Sequence, residues 1–255
     1  MYQVTAYIKF LLSSTNQHGV HSPFVYKFVT KCLYDRTKHP NYYKLKSYRK
    51  HLLDSNTIIT VLDLGEGSKK LKKKQRSVQR MALSSSSSKK NTKLLYRVSK
   101  YFKCESILEL GTSLGMATYA LALSNKNSKI TTIEGCANTS DFTKNRFNEL
   151  RIKQAQFIKE DFSNIIPTLE ENFDLIFFDG HHNKDATIKY FQSLLSNIHN
   201  DTLFVFDDIY WSKGMTEAWE YIKEHPAVTV TVDCFFLGFV FFREEQVKEH
   251  FKIRL

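Results

Sequence analysis

One stretch of the chain decides its fold: Ile107-Leu108-Glu109-Leu110-Gly111-Thr112-Ser113-Leu114-Gly115-Met116. An apolar run typical of a β-strand leads into a turn with two glycines, and the apolar helix pattern MATYALAL follows at once. The two glycines allow a tight turn and a close approach of the backbone to a ligand, and the first turn of the helix presents free amide groups. The stretch therefore predicts a strand–turn–helix unit whose turn binds a ligand.

Downstream of this turn, short apolar runs alternate with amphipathic segments. The runs predict strands at 106–110, 129–134, 155–160, 173–178 and 202–206, and the segments predict helices at 115–125, 138–152, 162–170, 184–198 and 214–224. Such alternation is typical of βαβ units in a parallel sheet that is covered on both faces. The last two runs, 228–235 and 236–242, have no helix between them, which predicts an antiparallel hairpin. The expected fold is α/β: a doubly wound, seven-stranded, mostly parallel sheet with an antiparallel terminal hairpin.

Composition and charge divide the chain into two parts. The 42% apolar and 14% aromatic content among 255 residues excludes wholesale disorder. Residues 1–103 contain 22 lysines and arginines but only 4 acidic residues, whereas residues 104–255 contain 15 and 22. We therefore expect a basic, largely helical N-terminal extension or cap over 1–103 and a separate domain over 104–255. Within the cap, the lysine- and serine-rich segment 69–93 is expected to be a mobile loop or lid, either a solvated linker or a binding arm.

Cysteine spacing and hydropathy exclude several classes of protein. The four cysteines lie far apart with no C-x-x-C pair, which argues against a zinc ribbon or a redox motif. The first residues lack the features of a signal peptide, and the most apolar window is too short to cross a bilayer. We expect a cytoplasmic protein without a transmembrane segment. Peripheral contact of the 69–93 lysines with anionic lipid stays open.

An acidic residue ends the strand that follows the glycine turn. Glu134 lies nineteen residues after Gly115, where a carboxylate can accept both hydroxyls of a ribose. The dinucleotide fingerprint requires glycines where Ser113 and Met116 stand, so a pyrophosphate ligand is disfavoured. A second glycine segment, 63–68, is followed by KKLKKK, which lacks the apolar stripe of a packed helix. We interpret that segment as an ordinary turn.

Four motifs stand in order at the ends of successive predicted strands: 109–115, Glu134, 160–162 and 173–180. Together they resemble the motifs of class I S-adenosylmethionine-dependent methyltransferases, and the loop resembles the small-molecule O-methyltransferase branch most closely. The resemblance covers roughly residues 104–242. It implies the Rossmann-like methyltransferase fold, S-adenosyl-L-methionine as cofactor, and a small-molecule acceptor that is methylated on a hydroxyl, with an amine as the alternative.

The resemblance also implies a set of cofactor-binding residues. They are Glu109, Gly111, Thr112, Ser113, Gly115, Glu134, Gly135, Asp161, Phe162 and Asp179. Glu109 and the 111–115 backbone would hold the methionine portion, Glu134 would take the ribose, and Asp161 with Phe162 would border the adenine. The residues alone leave another interpretation open, in which Asp161 is a helix N-cap and Phe162 a core residue.

Titratable side chains follow the next two predicted strands. Asp179 ends one strand and precedes His181 and His182, and Asp207 with Asp208 ends the following one. Ligands of doubly wound sheets gather beyond the carboxyl ends of the strands. Methyl transfer needs an unprotonated nucleophile, which a positioned base or a metal ion can provide. We predict Asp179 and His182 as the catalytic residues.

A metal site is the alternative source of the nucleophile. Metal-dependent O-methyltransferases place an Asp after the fourth strand and an Asp-Asn pair after the fifth. Asp179 and Asp207 match this pattern, and Asp208 replaces the Asn. The resemblance thus implies a site for a divalent cation such as Mg²⁺ on these three carboxylates, and the residues leave open whether it is used. His182 stands where that family often has a Lys.

Two other functions remain open from the sequence. The basic N-terminal segment is compatible with an RNA methyltransferase, whose affinity would fall steeply with salt. A non-catalytic cofactor-binding or scaffold module would use the same fold without turnover. Tyr210 and Trp211 follow the acidic pair and either line an acceptor pocket or pack in the core.

Overall fold

The computed structural model describes residues 2–63, 72–84 and 89–255. The described α-helices are α1 (Tyr2–Ser13), α2 (Pro23–Phe28), α3 (Asn41–Leu53), α4 (Val78–Ser84), α5 (Lys89–Tyr101), α6 (Met116–Ser124), α7 (Ala137–Glu149), α8 (Phe162–Ile165), α9 (Lys184–Ser193) and α10 (Lys213–Glu224). The described strands are β1 (Ile58–Asp63), β2 (Lys72–Ser77), β3 (Ser106–Leu110), β4 (Lys129–Ile133), β5 (Ala155–Ile158), β6 (Leu175–Phe178), β7 (Leu203–Asp207), β8 (Val230–Asp233), β9 (Leu237–Phe241) and β10 (Glu249–Lys252). Short 3₁₀ segments and one π-helical turn, Val29–Leu33, complete the regular structure of this part of the chain.

The chain divides into two compact units. One unit consists of Met1–Arg36 and Leu169–Leu255, and the other of Thr37–Thr168. This division differs from the boundary at residue 103 that the sequence predicts. The physical reason is packing: helices from the N-terminal region share a core with residues of the glycine turn, whatever the local charge.

The Thr37–Thr168 unit contains the glycine turn on three parallel strands, β3, β4 and β5. Their register aligns Leu110 with Ile133, and Ile133 with Ile158. All three strands therefore end at one edge, where Gly111 and Glu134 follow them. The main core of this unit packs apolar residues of α3, α4 and α5 against the turn and helices α6 and α7. Its members include Leu45, Tyr48, Leu52, Val78, Ala82, Tyr96, Leu114, Met116 and Phe147.

The mobility expected of segment 69–93 stays a prediction, although the structure describes most of its residues. They form β2, α4 and the start of α5, while 69–71 and 85–88 lie outside the described residues. β2 pairs antiparallel with β1 through backbone hydrogen bonds, so its lysine-rich sequence needs no apolar face. Val78 and Ala82 then anchor α4 in the core. Residues 64–68 of the second glycine segment also lie outside the described residues.

The other unit contains five strands in the order β10-β8-β9-β7-β6. β6 and β7 are parallel, whereas β9 runs antiparallel to both β7 and β8, which confirms the terminal hairpin. β10, parallel to β8, is an addition to the strands that the sequence predicts. The first 36 residues pack on this hairpin. The ring of Phe28 in α2, for example, lies 5.3 Å from that of Phe239 in β9.

Charge is also unevenly divided between the two compact units. Residues 37–168 contain 25 lysines and arginines against 10 acidic residues, whereas the other unit contains 12 against 16. The unit that carries the glycine turn is therefore the basic one.

The fold class is confirmed as mixed α/β with mostly parallel strands and an antiparallel hairpin. The predicted strands and helices of 104–242 all occur, with ends that differ by a few residues. In the described part of the chain, no helix is both long and apolar enough to cross a membrane.

Candidate functional site

The glycine turn has a backbone that only small residues accommodate easily. Gly111 has φ 108° and Gly115 has φ 72°, both in the left-handed region, and Ser113 between them has φ 45°. A Cβ on Gly115 would lie 2.5 Å from Cγ2 of Thr143, far inside van der Waals contact. The turn therefore requires glycine at 115 for two reasons, its dihedral angles and its close packing.

Two side chains from outside the turn hold its carbonyl groups. The Tyr48 hydroxyl in α3 donates to the Leu114 carbonyl at 2.8 Å, and the Thr143 hydroxyl in α7 donates to the Ser113 carbonyl at 2.7 Å. The Tyr48 ring also stacks on Tyr119 of α6 with ring centroids 4.7 Å apart. The turn is thus fixed from both sides before any ligand binds.

Glu134 lies at the end of β4 beside the turn. Its carboxylate accepts hydrogen bonds from the backbone N–H groups of Ser113 and Cys136, each at 2.9 Å. These two bonds orient the carboxylate, since each oxygen accepts from a different backbone N–H group. The side chain is half-buried and oriented, which suits an acceptor for two adjacent hydroxyls.

Glu109 in β3 is fully buried beneath the turn. One oxygen, Oε2, accepts from the hydroxyls of Thr118 and Thr132, both at 2.6 Å. The other, Oε1, is buried and has no hydrogen-bond partner in the described part of the chain. Burial raises the pKa of this carboxyl from 4.5 to about 7, against the opposing effect of the two hydroxyl donors. A buried carboxylate with one unused oxygen fits a cationic group such as an ammonium.

The residues predicted to border an adenine have local structural roles. Asp161 is the N-cap of α8 and accepts from the backbone N–H of Ser163 at 2.8 Å. Phe162 is buried. Gly135 is half-buried and directly follows Glu134. The structure thus supports the N-cap and core interpretations of Asp161 and Phe162, and their contact with a cofactor stays a prediction.

In the unit of 1–36 and 169–255, two acidic positions follow neighbouring strands. Phe178 of β6 pairs in register with Phe206 of β7, so Asp179 and Asp207 come at the same edge. Asp207 is buried, and Asp208 has a left-handed backbone with φ 55°. Burial, followed by the charge of Asp207, raises the pKa of Asp208 to about 7.

The two adjacent histidines have different partners. His182 places Nε2 3.7 Å from Oδ1 of Asp179, and its ring centroid lies 6.3 Å from that of Trp211. Nδ1 of His181 instead lies 3.0 Å from the Tyr190 hydroxyl in α9. Burial lowers the pKa of His182 below its usual 6.5, with a smaller effect from His181. His182 is therefore a neutral base at neutral pH.

The structure gives no support to the predicted metal site. Among the described residues, no group of three or more His, Cys, Asp or Glu side chains is arranged to hold a metal ion. Asp179, Asp207 and Asp208 lie at the predicted strand ends, and the use of a divalent cation by these carboxylates stays a prediction.

Comparison with known families gives the first identification. Residues 108–209, from β3 to just beyond β7, match the family model described as a methyltransferase domain. These residues are thus similar to a methyltransferase domain. A search of curated proteins found no significant match.

Several solved structures of methyltransferases share the fold of this chain. The methyltransferase PaMTH1 of Podospora anserina, bound to SAH, aligns with a TM-score of 0.62 at 14% identity over 88% of this chain and 97% of its own. The O-methyltransferase TomG of Streptomyces achromogenes, in complex with SAM, gives 0.54 at 20% identity over 61% and 81%. An O-methyltransferase of Bacillus cereus in complex with SAH gives 0.54 at 16% identity over 84% and 96%. The resemblance to the class I methyltransferases is confirmed at the level of the fold.

The sequence did not predict the residues that support the glycine turn. Thr118 and Thr132 donate to Glu109, Thr143 holds the Ser113 carbonyl, and Tyr48 holds Leu114. Thr132 alone carried a signal, because it lies two residues before Glu134 on the predicted strand. The others come from helices whose threonine and tyrosine positions resemble ordinary core positions.

Proposed function

We propose that the protein is an S-adenosylmethionine-dependent methyltransferase that methylates a hydroxyl group of a small-molecule acceptor. The observation that carries the proposal is the pair of carboxylates at the glycine turn. Glu134 is oriented by two backbone N–H groups, and Glu109 has a buried oxygen without a hydrogen-bond partner in the described residues. One suits a ribose, and the other suits the ammonium of a methionine portion.

The turn itself would complete the cofactor site. Gly111, Thr112, Ser113 and Gly115 place backbone N–H groups at the start of α6, where the helix dipole favours a carboxylate. Asp161 and Phe162 lie after β5 and would border the adenine, with Asp161 keeping its N-cap bond to Ser163. Oxygen rather than nitrogen as the target is supported by the fold's neighbours, because TomG and the Bacillus cereus protein are O-methyltransferases.

Catalysis would rest on His182 and Asp179. The bound cofactor supplies an electrophilic methyl group on a positively charged sulfur. His182 would take the proton of the acceptor hydroxyl, so that the oxygen can accept the methyl group that the cofactor would supply, with a neutral thioether as the leaving group. Asp179 stabilises that imidazolium from 3.7 Å, a distance that must shorten for a direct hydrogen bond. Trp211, exposed next to His182, would contact the acceptor.

Calorimetry with S-adenosylhomocysteine tests the cofactor assignment. We expect binding by the full chain and at least a tenfold loss of affinity in Glu134→Ala, because charge-assisted hydrogen bonds contribute roughly 1.5–3 kcal/mol each. Glu149→Ala is the matched control, since Glu149 lies in the same unit but forms a surface ion pair with Arg146. Absence of binding at millimolar ligand, or equal affinity in Glu134→Ala and the wild type, would overturn the assignment.

Turnover separates an enzyme from a cofactor-binding scaffold. S-adenosylmethionine with a labelled methyl group, incubated with a panel of phenols, catechols and matched anilines, should label the hydroxyl compounds. Labelling of the anilines alone would replace the oxygen target by nitrogen. Cofactor binding without labelled product from any acceptor would support the scaffold function instead.

A further inference from the structure

A cavity of about 410 Å³ lies within the Thr37–Thr168 unit, apart from the carboxylates of the glycine turn. Residues of α3 and the segment before it form one wall, and the first turn of α5 forms another. Leu45 and Met116 line its apolar part, and both belong to the core of the unit. Its volume is within the range of small-molecule sites, roughly 300–1,000 Å³.

The charged residues that line the cavity are all basic. Five of its lining residues are lysines or arginines: Lys38, Lys46, Arg49, Lys89 and Lys93. No lining residue is acidic. In the described part of the chain, Lys38, Lys46 and Lys89 make no ion pair. Such an arrangement concentrates positive potential in a partly enclosed space, which attracts and holds an anion.

Aromatic rings line the same cavity. Tyr42 is held in place, since its hydroxyl accepts from Nη1 of Arg97 at 3.2 Å and its ring packs edge-on against Tyr96. Nζ of Lys93 lies 4.8 Å above the Tyr42 ring. Tyr43 is 78% exposed at the rim, where its face is open to stacking. Fixed and exposed rings beside lysines suit a ligand that is both planar and anionic.

We propose that this cavity binds a small molecule that combines an aromatic ring with a phosphate group. The rings would contact Tyr42 and Tyr43, and the phosphate would pair with Lys46, Lys93 and their neighbours. The proposal concerns binding alone and does not rest on the methyltransferase function. A cavity of about 410 Å³ has room for one such molecule, and this favours a small ligand over a nucleic-acid strand.

The test is calorimetry of the full chain with 1-naphthyl phosphate, with 1-naphthol and inorganic phosphate as separate arms. Saturating S-adenosylhomocysteine is present so that the proposed cofactor site does not compete. We expect 1-naphthyl phosphate to bind at least tenfold more tightly than either fragment, because both halves of the ligand contribute. Equal affinities for 1-naphthyl phosphate and for inorganic phosphate would overturn the role of the tyrosine rings.

Paired variants locate the site. Lys46→Gln/Lys93→Gln removes two charges from the cavity, whereas the control Lys44→Gln/Lys50→Gln removes two exposed charges from α3 outside it. We expect at least a tenfold loss of affinity in the first and less than twofold in the second, with thermal unfolding showing that both fold. Equal losses of affinity in the two double variants would mean that the ligand responds only to the general positive charge of the unit, and would overturn the proposed site.

Oligoribonucleotides form the last arm. Affinity that rises steeply from a dinucleotide to a decamer, and that both double variants weaken, would assign the surface to an RNA strand and overturn the small-ligand proposal. Because the variants locate the binding, the result stands whether or not S-adenosylhomocysteine binds. Failure of the cofactor assignment and failure of this proposal are therefore distinguishable.

Discussion

The two compact units surround their acidic side chains differently. In the unit of 37–168, Glu134 accepts from two backbone N–H groups and Glu109 from two threonine hydroxyls. In the other unit, the pKa of Asp208 rises to about 7 because the side chain is buried beside Asp207. Hydrogen-bond donors orient both carboxylates in the first unit, even though burial also raises the pKa of Glu109 to about 7. In the second unit, burial and the charge of Asp207 raise the pKa of Asp208. The first arrangement suits the binding of a ligand, and the second suits proton transfer.

If this comparison is correct, variants in the two units should affect different measurements. Changes in the first unit should alter cofactor affinity, and changes around His182 should alter turnover.

The largest effect is expected from His182→Gln. Loss of a general base lowers turnover by roughly 10²–10⁴-fold, while S-adenosylhomocysteine affinity should remain within twofold of the wild type. His181→Gln is the control, because His181 contacts Tyr190 rather than Asp179. Unchanged turnover in His182→Gln would contradict the proposed difference between the two units.

The pH dependence of His182 gives a second measurement of the same prediction. Its pKa is lowered, so the neutral base is fully present at pH values above about 6.5 and is lost only as the pH falls through the lowered pKa. A proton NMR titration of the ring, with His182→Gln to assign the signal, checks this directly. A pKa above 6.5 would contradict the proposed base.

Gly115→Ala should have the next largest effect, in the other unit. A left-handed alanine costs roughly 1–2 kcal/mol, and a Cβ 2.5 Å from Thr143 adds roughly 1–3 kcal/mol of overpacking. We expect a lower thermal midpoint and at least tenfold weaker S-adenosylhomocysteine binding. Gly214→Ala in α10 is the control, because its Cβ would meet only ordinary contacts and should leave both measurements unchanged.

Glu109 should couple stability to pH. Its folded pKa of about 7 exceeds the ordinary 4.5, so the folded state keeps a proton that the unfolded chain has lost. Stability therefore falls as the pH rises from about 4.5 to 7, by roughly 3 kcal/mol for this group. The free energy of unfolding, measured in urea at several pH values, should depend less on pH in Glu109→Gln than in the wild type. Asp208→Asn should reduce it by a comparable amount in the same direction, because the pKa of Asp208 rises from 3.8 to about 7. Identical profiles in both variants and the wild type would refute both shifts.

Thr143→Val should have the smallest effect. The variant keeps the shape of the side chain and removes one hydrogen bond to the Ser113 carbonyl, worth roughly 1 kcal/mol or about fivefold in cofactor affinity. Thr139→Val is a close control in the same helix, because the buried Thr139 hydroxyl has no hydrogen-bond partner among the described residues. Equal affinities of the two variants would show that Thr143 does not support the turn.

Local patterns were enough to predict most of the fold between 104 and 242. Strand β3 has the predicted ends, and the glycine turn, Glu134 and the terminal hairpin all occur where the sequence places them. These features depend on hydropathy period, glycine position and strand ends, all of which are read from neighbouring residues. The metal site stays a prediction, because the described residues bring no three such ligands together and strand ends alone do not fix ligand geometry.

Local patterns could not predict how the N-terminal region packs. Its charge suggested a separate cap, yet α3 shares a core with the glycine turn through Tyr48, and α2 packs on β9 through Phe28. These contacts join residues 66 and more than 200 positions apart. Charge counts carry no information about such pairings, because solvent-exposed lysines are compatible with almost any packing of the apolar face beneath them.

The sequence by itself determined the strand–turn–helix unit, the two carboxylates around it and the alternation that builds the sheet, because backbone preferences and hydropathy period are local properties. Only the tertiary structure decided that His182 rather than His181 faces Asp179, that Tyr48 and Thr143 hold the turn, and that Lys46 and Lys93 share a cavity with two tyrosines. Each of these depends on which distant side chains pack together, and that is set by the whole core rather than by any one segment.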